Sequence, residues 1–309
     1  MTQQPLVIKD LAKHFGDFVA VDGITFDVNR GETFGVLGPN GAGKSSTLKM
    51  IGTVSSRTSG HLSVFGLDPD RYGKTIRTRL GVVPQEDIFD EDLTAVENIV
   101  VFARYFGISR KVARERAAQM LEFMQLTEKA DEKIRALSGG MKRRLTIARA
   151  MVSNPEMILL DEPTTGLDPQ ARHLLWDRLR KLKEQGVTLV LTTHYMDEAE
   201  QLSDRLIIMD NGRIADGGSP AELIERHVTR EVLELRIPDG GEVAGLEPIA
   251  ESNGWRVDTL PDRHLVFADS GDAALSLLRD GGVQPHGTYV RRSTLEDVFL
   301  ALTGRTLEE

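Results

Sequence analysis

A glycine-rich octapeptide between two apolar segments constrains the fold of this chain more than any other feature. The octapeptide is Gly38-Pro39-Asn40-Gly41-Ala42-Gly43-Lys44-Ser45. An apolar run, residues 33–37, precedes it, and a segment with apolar side chains at Leu48, Met50 and Ile51 follows it. The octapeptide matches the G-x-x-x-x-G-K-[ST] pattern in full, in the strand, loop and helix context that this pattern requires. The sequence therefore predicts an α/β fold with a phosphate-binding loop between a strand and a helix.

Two residues at the end of this loop carry the expected chemistry. In such a loop the backbone N–H groups surround the β-phosphate of a nucleotide. Lys44 reaches the β- and γ-phosphates, and the Ser45 hydroxyl ligates Mg²⁺. The loop therefore predicts a bound nucleotide together with Mg²⁺.

A second apolar run ends in two adjacent carboxylates. Residues 157–160 read Met-Ile-Leu-Leu, as expected for a strand buried on both faces, and Asp161 and Glu162 follow them. Ligands of open α/β sheets bind at the carboxyl ends of strands, so both acids are expected beside the phosphates. Neighbouring strand residues point in opposite directions, which indicates different roles. We assign Asp161 to Mg²⁺, directly or through water, and Glu162 to polarising the attacking water.

A histidine takes the equivalent place at the end of a third predicted strand. This strand covers residues 187–193 and ends at His194. The imidazole is therefore expected to contact a γ-phosphate or the same water. A lone histidine at a strand end is more often structural, so the functional interpretation depends on the residues around it.

A helix start with two glycines forms a further candidate anion site. Ser138 is a natural N-cap, Gly139 and Gly140 permit close backbone approach, and residues 145–151 carry an apolar stripe behind them. Such a helix start presents unpaired N–H groups and the positive end of the helix dipole to an anion.

Together these motifs resemble the ATP-binding cassette superfamily over about three quarters of the chain. The order of motifs is the phosphate loop, Gln85, Leu137-Ser138-Gly139-Gly140, Asp161-Glu162, Gly166-Leu167-Asp168 and His194. The resemblance implies ATP as the nucleotide, and a P-loop fold with an antiparallel β subdomain and a helical subdomain. It implies that Gln85 contacts Mg²⁺ and water and links the site to a transport partner. Phe15 takes the place of the aromatic that stacks on adenine, Ser46 belongs to the nucleotide site, and Asp168 lies at a dimer interface.

The resemblance also supplies the anion for the helix that begins after Ser138. In this superfamily the signature motif of one protomer, which corresponds here to Leu137-Ser138-Gly139-Gly140, contacts the γ-phosphate held by the phosphate loop of the other. This chain has one copy of each motif and no internal repeat, so two complete sites require two chains. We expect a homodimer with ATP between the protomers, docked on a membrane permease subunit at the cytoplasmic face of the inner membrane.

Composition limits the partners that the chain contacts directly. The net charge of −9 opposes attraction to nucleic acid and to anionic lipid, so we predict no nucleic-acid partner and a membrane association through protein. With no cysteine, the chain has neither disulfides nor thiolate metal sites. No signal-peptide pattern and no apolar stretch of about eighteen residues occurs, and we expect a cytosolic protein.

A length of 309 residues favours one large domain and a smaller one. We assign residues 1–227 to the nucleotide-binding domain, with a helical subdomain at about residues 90–137 that begins near a capping box, Thr94 to Glu97. That subdomain is either the docking site for a membrane subunit, as the resemblance implies, or a simple helical insertion. Residues 228–309 form the predicted C-terminal α+β domain.

The C-terminal domain is predicted to have the order βαββαβ, a ferredoxin-like arrangement. The predicted strands are residues 231–237, 255–260, 264–268 and 287–291, and the predicted helices are residues 243–252 and 271–279. A final helix, residues 294–303, has Leu295, Val298, Phe299 and Leu302 on one face. This apolar stripe is either packing surface or a partner-binding face.

The residues after the double glycine favour export. Met141-Lys142-Arg143-Arg144-Leu145 and the ending, residues 295–305, resemble the exporter ATPases of the drug-resistance and nodulation-factor types, whereas importers more commonly have glutamines there. We therefore predict the ATP-hydrolysing subunit of a bacterial ABC exporter. The alternative is an importer ATPase with a C-terminal regulatory domain. DNA-repair cassettes would add a long coiled coil or zinc cysteines, and ribosome-associated cassettes would carry two copies in one chain, and this sequence has neither.

Overall fold

The computed structural model describes residues 4–236 and 245–304 and divides the chain into two compact units. The first unit ends at Gly217 and the second begins at Gly218. The sequence places this boundary after residue 227 instead. The difference arises because the helix Pro220–His227 packs against the last helix, Leu295–Thr303, and so belongs to the second unit.

Strands and helices alternate through most of the first unit. The strands are β1 (Leu6–Phe15), β2 (Phe18–Val28), β3 (Thr33–Leu37), β4 (Ser59–Val64), β5 (Leu80–Val83), β6 (Met157–Asp161), β7 (Thr188–Thr193), β8 (Arg205–Asp210) and β9 (Arg213–Gly218). The α-helices are α1 (Lys44–Ile51), α2 (Pro69–Arg77), α3 (Ala95–Arg104), α4 (Arg110–Phe123), α5 (Gly139–Met151), α6 (Pro169–Glu184) and α7 (Met196–Leu202).

A six-stranded sheet in the order β5-β6-β7-β3-β8-β9 forms the centre of the first unit. Every residue of β3, β6 and β7 is buried, which explains why the central residues of these strands are mostly apolar on both faces. The strands β5, β6, β7, β3 and β8 are parallel, so their carboxyl ends meet at one edge. In register, Leu37 pairs with Thr193 and Asp161 pairs with Thr192. This edge therefore collects the phosphate loop, the two carboxylates and His194.

A second, antiparallel sheet in the order β2-β1-β4 covers part of the central sheet. Apolar residues of these strands share one core with β3 and α1, and the rings of Phe26 and Phe34 stack with centroids 5.0 Å apart. Burial of these side chains fixes the start of the phosphate loop against a rigid layer.

The predicted helical subdomain, at about residues 90–137, contains α3 and α4, and both helices pack against α5. Ile99, Ala113 and Leu121 pack there with Leu145 and Ile147 in one cluster. The capping box before α3 is formed: the Glu97 N–H donates to Thr94 Oγ1 at 3.3 Å, and the Thr94 N–H donates to Glu97 Oε2 at 2.9 Å. Within the described ranges, no helix has both the length and the apolar character needed to cross a membrane.

The second unit begins with one helix, continues in the order βαββαβ and ends with a further helix. Its elements are α8 (Pro220–His227), β10 (Glu231–Arg236), α9 (Leu246–Asn253), β11 (Arg256–Leu260), β12 (Arg263–Ala268), α10 (Gly271–Asp280), β13 (Gly287–Arg292) and α11 (Leu295–Thr303). The sheet order is β11-β12-β10-β13 with antiparallel pairing throughout, the arrangement of a ferredoxin-like unit. The predicted strand end at residue 237, the predicted helix start at 243–244 and residue 305 of the ending lie outside the described residues.

The last helix buries most of its apolar face. Leu295, Val298 and Phe299 are at most 1% exposed, and α11 packs against α8. Leu302 is only partly buried. These three buried residues therefore form a packing surface, the first of the two interpretations of the stripe.

Arg291 connects this helix to the sheet through two carboxylates. Its Nη1 and Nη2 lie 2.7 and 2.8 Å from the two Asp297 oxygens, and its Nε lies 2.6 Å from Glu234 Oε1. Asp297 is 2% exposed and Glu234 is 9% exposed. The hydrogen bonds that Arg291 donates to Asp297 and Glu234 raise the pKa of Arg291 above its ordinary value.

Replacing Arg291 by Ala is expected to lower the free energy of unfolding of the second unit by about 3–5 kcal/mol, because the buried Asp297 loses its cation and Glu234 keeps only Arg263 among the described residues. Urea unfolding of the full chain in a Trp176→Phe background, followed by Trp255 fluorescence, reports this unit, since the chain has two tryptophans. The control is Arg292→Ala, an exposed neighbour on the same strand, with an expected change within about 0.5 kcal/mol. Equal effects of the two substitutions would contradict the assignment.

Candidate nucleotide-binding site

The phosphate loop runs from the end of β3 to the start of α1. The Gly38 N–H donates to the Thr193 carbonyl at 3.3 Å. A Cβ atom at Gly38 would lie 2.2 Å from the Met209 carbonyl oxygen, and one at Gly43, where φ is 99°, would lie 2.4 Å from the Ala20 carbonyl oxygen. The loop therefore requires glycine at both positions. Its path leaves the first N–H groups of α1 without intrahelical partners, and these groups can bind phosphate.

Lys44 begins α1 and folds back over the loop. Its Nζ donates to the Gly38 carbonyl at 2.7 Å and to the Pro39 carbonyl at 3.0 Å, and it lies 3.5 Å from Glu162 Oε1. The side chain is only 4% exposed. Burial lowers the pKa of Lys44, and the nearby Glu162 carboxylate opposes that shift.

Ser45, Asp161 and Thr192 form a small cluster of oxygen atoms beside the loop. Ser45 Oγ donates to Asp161 Oδ1 at 3.0 Å, and Thr192 Oγ1 donates to the same oxygen at 2.6 Å. Asp161 is 9% exposed. These contacts fix the orientation of the carboxylate, and they place two of the three predicted metal ligands, Ser45 and Asp161, next to each other. The third, Gln85, donates its side-chain hydrogen bond to Glu162 instead.

Glu162 is the carboxylate on which the other candidate side chains converge. Gln85 Nε2 and Thr165 Oγ1 both donate to Glu162 Oε2 at 3.2 Å. On the other oxygen, Oε1, Lys44 Nζ lies at 3.5 Å and His194 Nδ1 at 3.2 Å. These four residues come from different parts of the chain. Three of them, Lys44, Gln85 and His194, are predicted to be catalytic together with Glu162, so the structure brings all four predicted residues together.

The backbone of Glu162 adopts an unusual conformation. Its φ is +44°, in the left-handed region that residues with a side chain rarely occupy. The Glu162 N–H is held by the carbonyl and the side-chain oxygen of Thr192, both at 3.1 Å. Such strain persists only where surrounding contacts determine the conformation, and it is concentrated at functional sites.

Other predicted site residues lie apart from this cluster. Ser138 accepts a hydrogen bond from the Met141 N–H at 3.3 Å and caps α5, and Asp168 accepts one from the Ala171 N–H at 2.9 Å and caps α6. Across residues 4–236 and 245–304, no side-chain hydrogen bond or ion pair joins Ser138 or Asp168 to the phosphate loop. A Cβ atom at Gly139 would meet open space. This helix start is thus open to another molecule.

Phe15 lies at the end of β1 and is 54% exposed. Lys13 Nζ stands 4.7 Å from the centre of its ring. An exposed ring of this kind is available for stacking on a base, as predicted for the adenine contact. Gly41 of the loop is also exposed, whereas Ser46 is partly buried in α1.

Three residues of the site escaped the sequence analysis. Thr192 donates a hydrogen bond that orients Asp161, and Thr165 donates one to Glu162. Arg143 is only 3% exposed, and its guanidinium donates hydrogen bonds to backbone carbonyls near the two carboxylates. The polar Thr192 at the end of an apolar strand was an available signal for a position facing the site. Nothing in the local sequence separates Arg143 from the other basic residues around it.

A phosphate loop, an oxygen cluster and an oriented glutamate at the carboxyl edge of a parallel sheet define a P-loop nucleotide hydrolase. The sequence model of the ABC transporter family matches residues 21–165 of this chain. The chain is 44% identical over 312 residues to the Nod factor export ATP-binding protein I of Burkholderia thailandensis, with all of both chains covered. Identity to the protein of the same name from Ralstonia nicotianae is 42%, over 98% of this chain and 95% of that one. The chain belongs to the ABC transporter family, as an ATP-binding ATPase subunit.

Solved structures agree with this assignment. The dimeric, post-hydrolysis ATP-binding cassette MJ0796 with ADP and Pi has a TM-score of 0.62 and 31% identity, over 69% of this chain and 98% of that one. The predicted recognition, P-loop fold and ATPase class are therefore confirmed. The names of the relatives favour the exporter interpretation over the importer alternative.

Proposed function

We propose that this chain is the ATP-hydrolysing subunit of a bacterial ABC exporter, and that two copies act beneath separate membrane permease subunits. The observation that carries the proposal is the convergence of Lys44, Gln85, Thr165 and His194 on the Glu162 carboxylate, which is itself 5% exposed. A carboxylate oriented from several sides and beside a phosphate loop suits the polarisation of an attacking water. Full-length identity to Nod factor export proteins supports export, and cargo of that class is the first to test.

In this proposal each residue has one task. The loop N–H groups and Lys44 bind the phosphates, Phe15 stacks on adenine, and Glu162 accepts hydrogen-bond donation from the attacking water, with Gln85 and His194 helping to position it. The hydroxyl oxygen of Ser45 and a carboxylate oxygen of Asp161 lie 3.0 Å apart, and both are suitable ligands for Mg²⁺. This ion takes few protein ligands beside phosphate and water. If these residues hold Mg²⁺, the ion would neutralise charge on the phosphates.

The open start of α5 supports a site built from two chains. Ser138, Gly139 and Gly140 have no phosphate loop beside them in their own chain, although a capped helix start with two glycines suits an anion. In a homodimer, this signature would contact the γ-phosphate held by the partner, with Asp168 at the interface. The net charge of −9 opposes direct binding to anionic lipid, so we place the dimer on a permease at the cytoplasmic face of the inner membrane.

Mixing two inactive variants tests the two-chain site. Lys44→Met removes the phosphate lysine and keeps the signature, whereas Ser138→Arg blocks the signature and keeps the phosphate loop. Each variant alone is expected to be inactive. Random assortment of equal amounts gives half mixed dimers, each with one intact site, so about a quarter of the wild-type ATPase rate should return. Differently tagged chains establish that mixed dimers form, and no recovery in proven mixed dimers would count against the model.

A further inference from the structure

One face of α5 holds the segment that carries Gln85. Thr146 Oγ1 donates to Asp87 Oδ1 at 2.6 Å, and the guanidinium of Arg149 donates to the Ile88 carbonyl and stands 4.9 Å from the Phe89 ring centre. Arg143, Thr146 and Arg149 follow one another at intervals of three residues, so they lie along one side of the helix. Residues 84–89 are thereby attached to the same helix that begins after Ser138.

The guanidinium of Arg143 contacts both this segment and the end of β6, and so joins the two. Its Nη1 donates to the Pro84 carbonyl and, at 3.2 Å, to the Gln85 carbonyl. On the other side, Nη2 donates to the carbonyls of Asp161 at 2.8 Å and Glu162 at 3.1 Å, and Nε donates to the Pro163 carbonyl at 2.7 Å. Nη1 also lies 3.4 Å from Asp87 Oδ1, the only carboxylate oxygen with which Arg143 forms an ion pair among the described residues.

These contacts bear on the geometry of catalysis. The Gln85 side chain donates to Glu162, so the two side chains depend on the relative position of their backbones. Both backbones are held by one buried guanidinium, and that of Glu162 has the strained φ of +44°. A planar fork of five donors can satisfy carbonyls on two sides at once, which a lysine ammonium cannot do.

We propose that Arg143 is a positioning residue that sets Gln85 and Glu162 within its own chain. The helix α5 then connects two sites: its start at Ser138 contacts the nucleotide held by the partner, and Arg143, just over one turn later, fixes the water-polarising carboxylate beside its own phosphate loop. Nucleotide binding in one site is thereby linked to the catalytic geometry of the other. This link rests on the two-chain site proposed above, whereas the positioning role within one chain does not.

The first test separates positioning from general stability. Arg143→Gln should lower kcat for ATP hydrolysis by about 10- to 100-fold, the usual cost of a small misplacement, and leave ATP affinity within about threefold. Arg143→Lys should lie between this variant and the wild type. The matched control is Arg116→Gln, which also loses a hydrogen bond from a partly buried guanidinium to a backbone carbonyl, that of Val152, away from the site. Its kcat should stay within about twofold of wild type.

Thermal unfolding, equilibrium ATP titration and steady-state ATPase assays are needed for all three variants. A kcat of Arg143→Gln within about twofold of wild type would overturn the proposal. The proposal would also be overturned if Arg143→Gln and Arg116→Gln lost kcat equally and in proportion to their loss of stability. If Arg143→Gln does not fold, Arg143→Lys decides: a fall in kcat of at least about fivefold at unchanged ATP affinity supports positioning, and an unchanged kcat refutes it.

The second test asks in which chain Arg143 acts. Mixed dimers of Arg143→Gln with Ser138→Arg contain one site with an intact signature from the first chain and an intact Arg143 in the second. If Arg143 positions the carboxylate of its own chain, the ATPase rate should recover to the level reached by the mixture of Lys44→Met with Ser138→Arg. If Arg143 acts through the signature on the partner's site, no ATPase activity should be recovered. If the Lys44→Met mixture itself fails to recover, the two-chain site fails, while a selective kcat loss in Arg143→Gln still supports the positioning role.

Discussion

Replacing Glu162 by Gln is expected to lower the rate of ATP hydrolysis by about 10²- to 10⁴-fold and to leave ATP affinity within about threefold of wild type. The amide keeps the size of the side chain and an oxygen that accepts a hydrogen bond, but it cannot take up a proton or polarise water as a carboxylate does. Gln85 and Thr165 keep a partner in the carbonyl oxygen of the new amide, whereas Lys44 loses the negative charge beside its ammonium group. The loss should therefore appear in kcat.

Measurement requires steady-state ATPase assays and ATP titration of the same preparations. The matched control is Glu128→Gln, which makes the same chemical change at an exposed position and should keep kcat within about twofold. The variant should also trap the ATP-bound dimer, because binding is retained while turnover is not. Wild-type turnover in Glu162→Gln would exclude the water-polarising role, and a large loss of ATP affinity would assign Glu162 to binding instead.

The sequence could predict the phosphate loop and the paired carboxylates because each is a short contiguous motif with a fixed place at a strand end. Once β3, β6 and β7 are recognised as buried parallel strands, their carboxyl ends must meet at one edge. Asp161, Glu162 and His194 then lie near Lys44 without any knowledge of side-chain packing. Topology alone thus fixes the neighbourhood of these residues.

The finer geometry depends on contacts that no local pattern contains. Arg143 lies in a basic stretch that reads as a solvated helix surface, and its burial follows from the meeting of residues 84–87 with the end of β6. Thr165 sits in a Thr-Thr-Gly turn that gives no sign of a hydrogen bond to Glu162. The contacts of α8 with α11 are equally non-local, and for that reason the unit boundary lies earlier than the sequence indicates.

Lys44→Met is expected to abolish most ATP turnover, by about 10³-fold, because the buried ammonium that would contact the β- and γ-phosphates is gone. The substitution should also lower the free energy of unfolding of the nucleotide-free protein by about 1.5–3 kcal/mol. Lys44 and Glu162 are both nearly buried, with 4% and 6% of their side chains exposed, and Nζ lies 3.5 Å from the carboxylate. Without Lys44, this carboxylate keeps its hydrogen bonds but loses its nearest fixed cation.

The double variant Lys44→Met with Glu162→Gln distinguishes this pairing from a loss of packing. A neutral amide needs no cation, so stability should return to within about 1 kcal/mol of wild type while ATP turnover stays abolished. Urea unfolding of the four proteins gives the coupling energy, and Lys49→Met, an exposed lysine on the same helix, controls for the loss of a positive charge. Strictly additive effects of the two substitutions would show that Lys44 does not stabilise the Glu162 carboxylate. The double variant is therefore expected to regain stability without regaining ATP turnover. The Lys44 ammonium has two roles: it binds phosphate during turnover, and it compensates the buried Glu162 carboxylate when no nucleotide is bound.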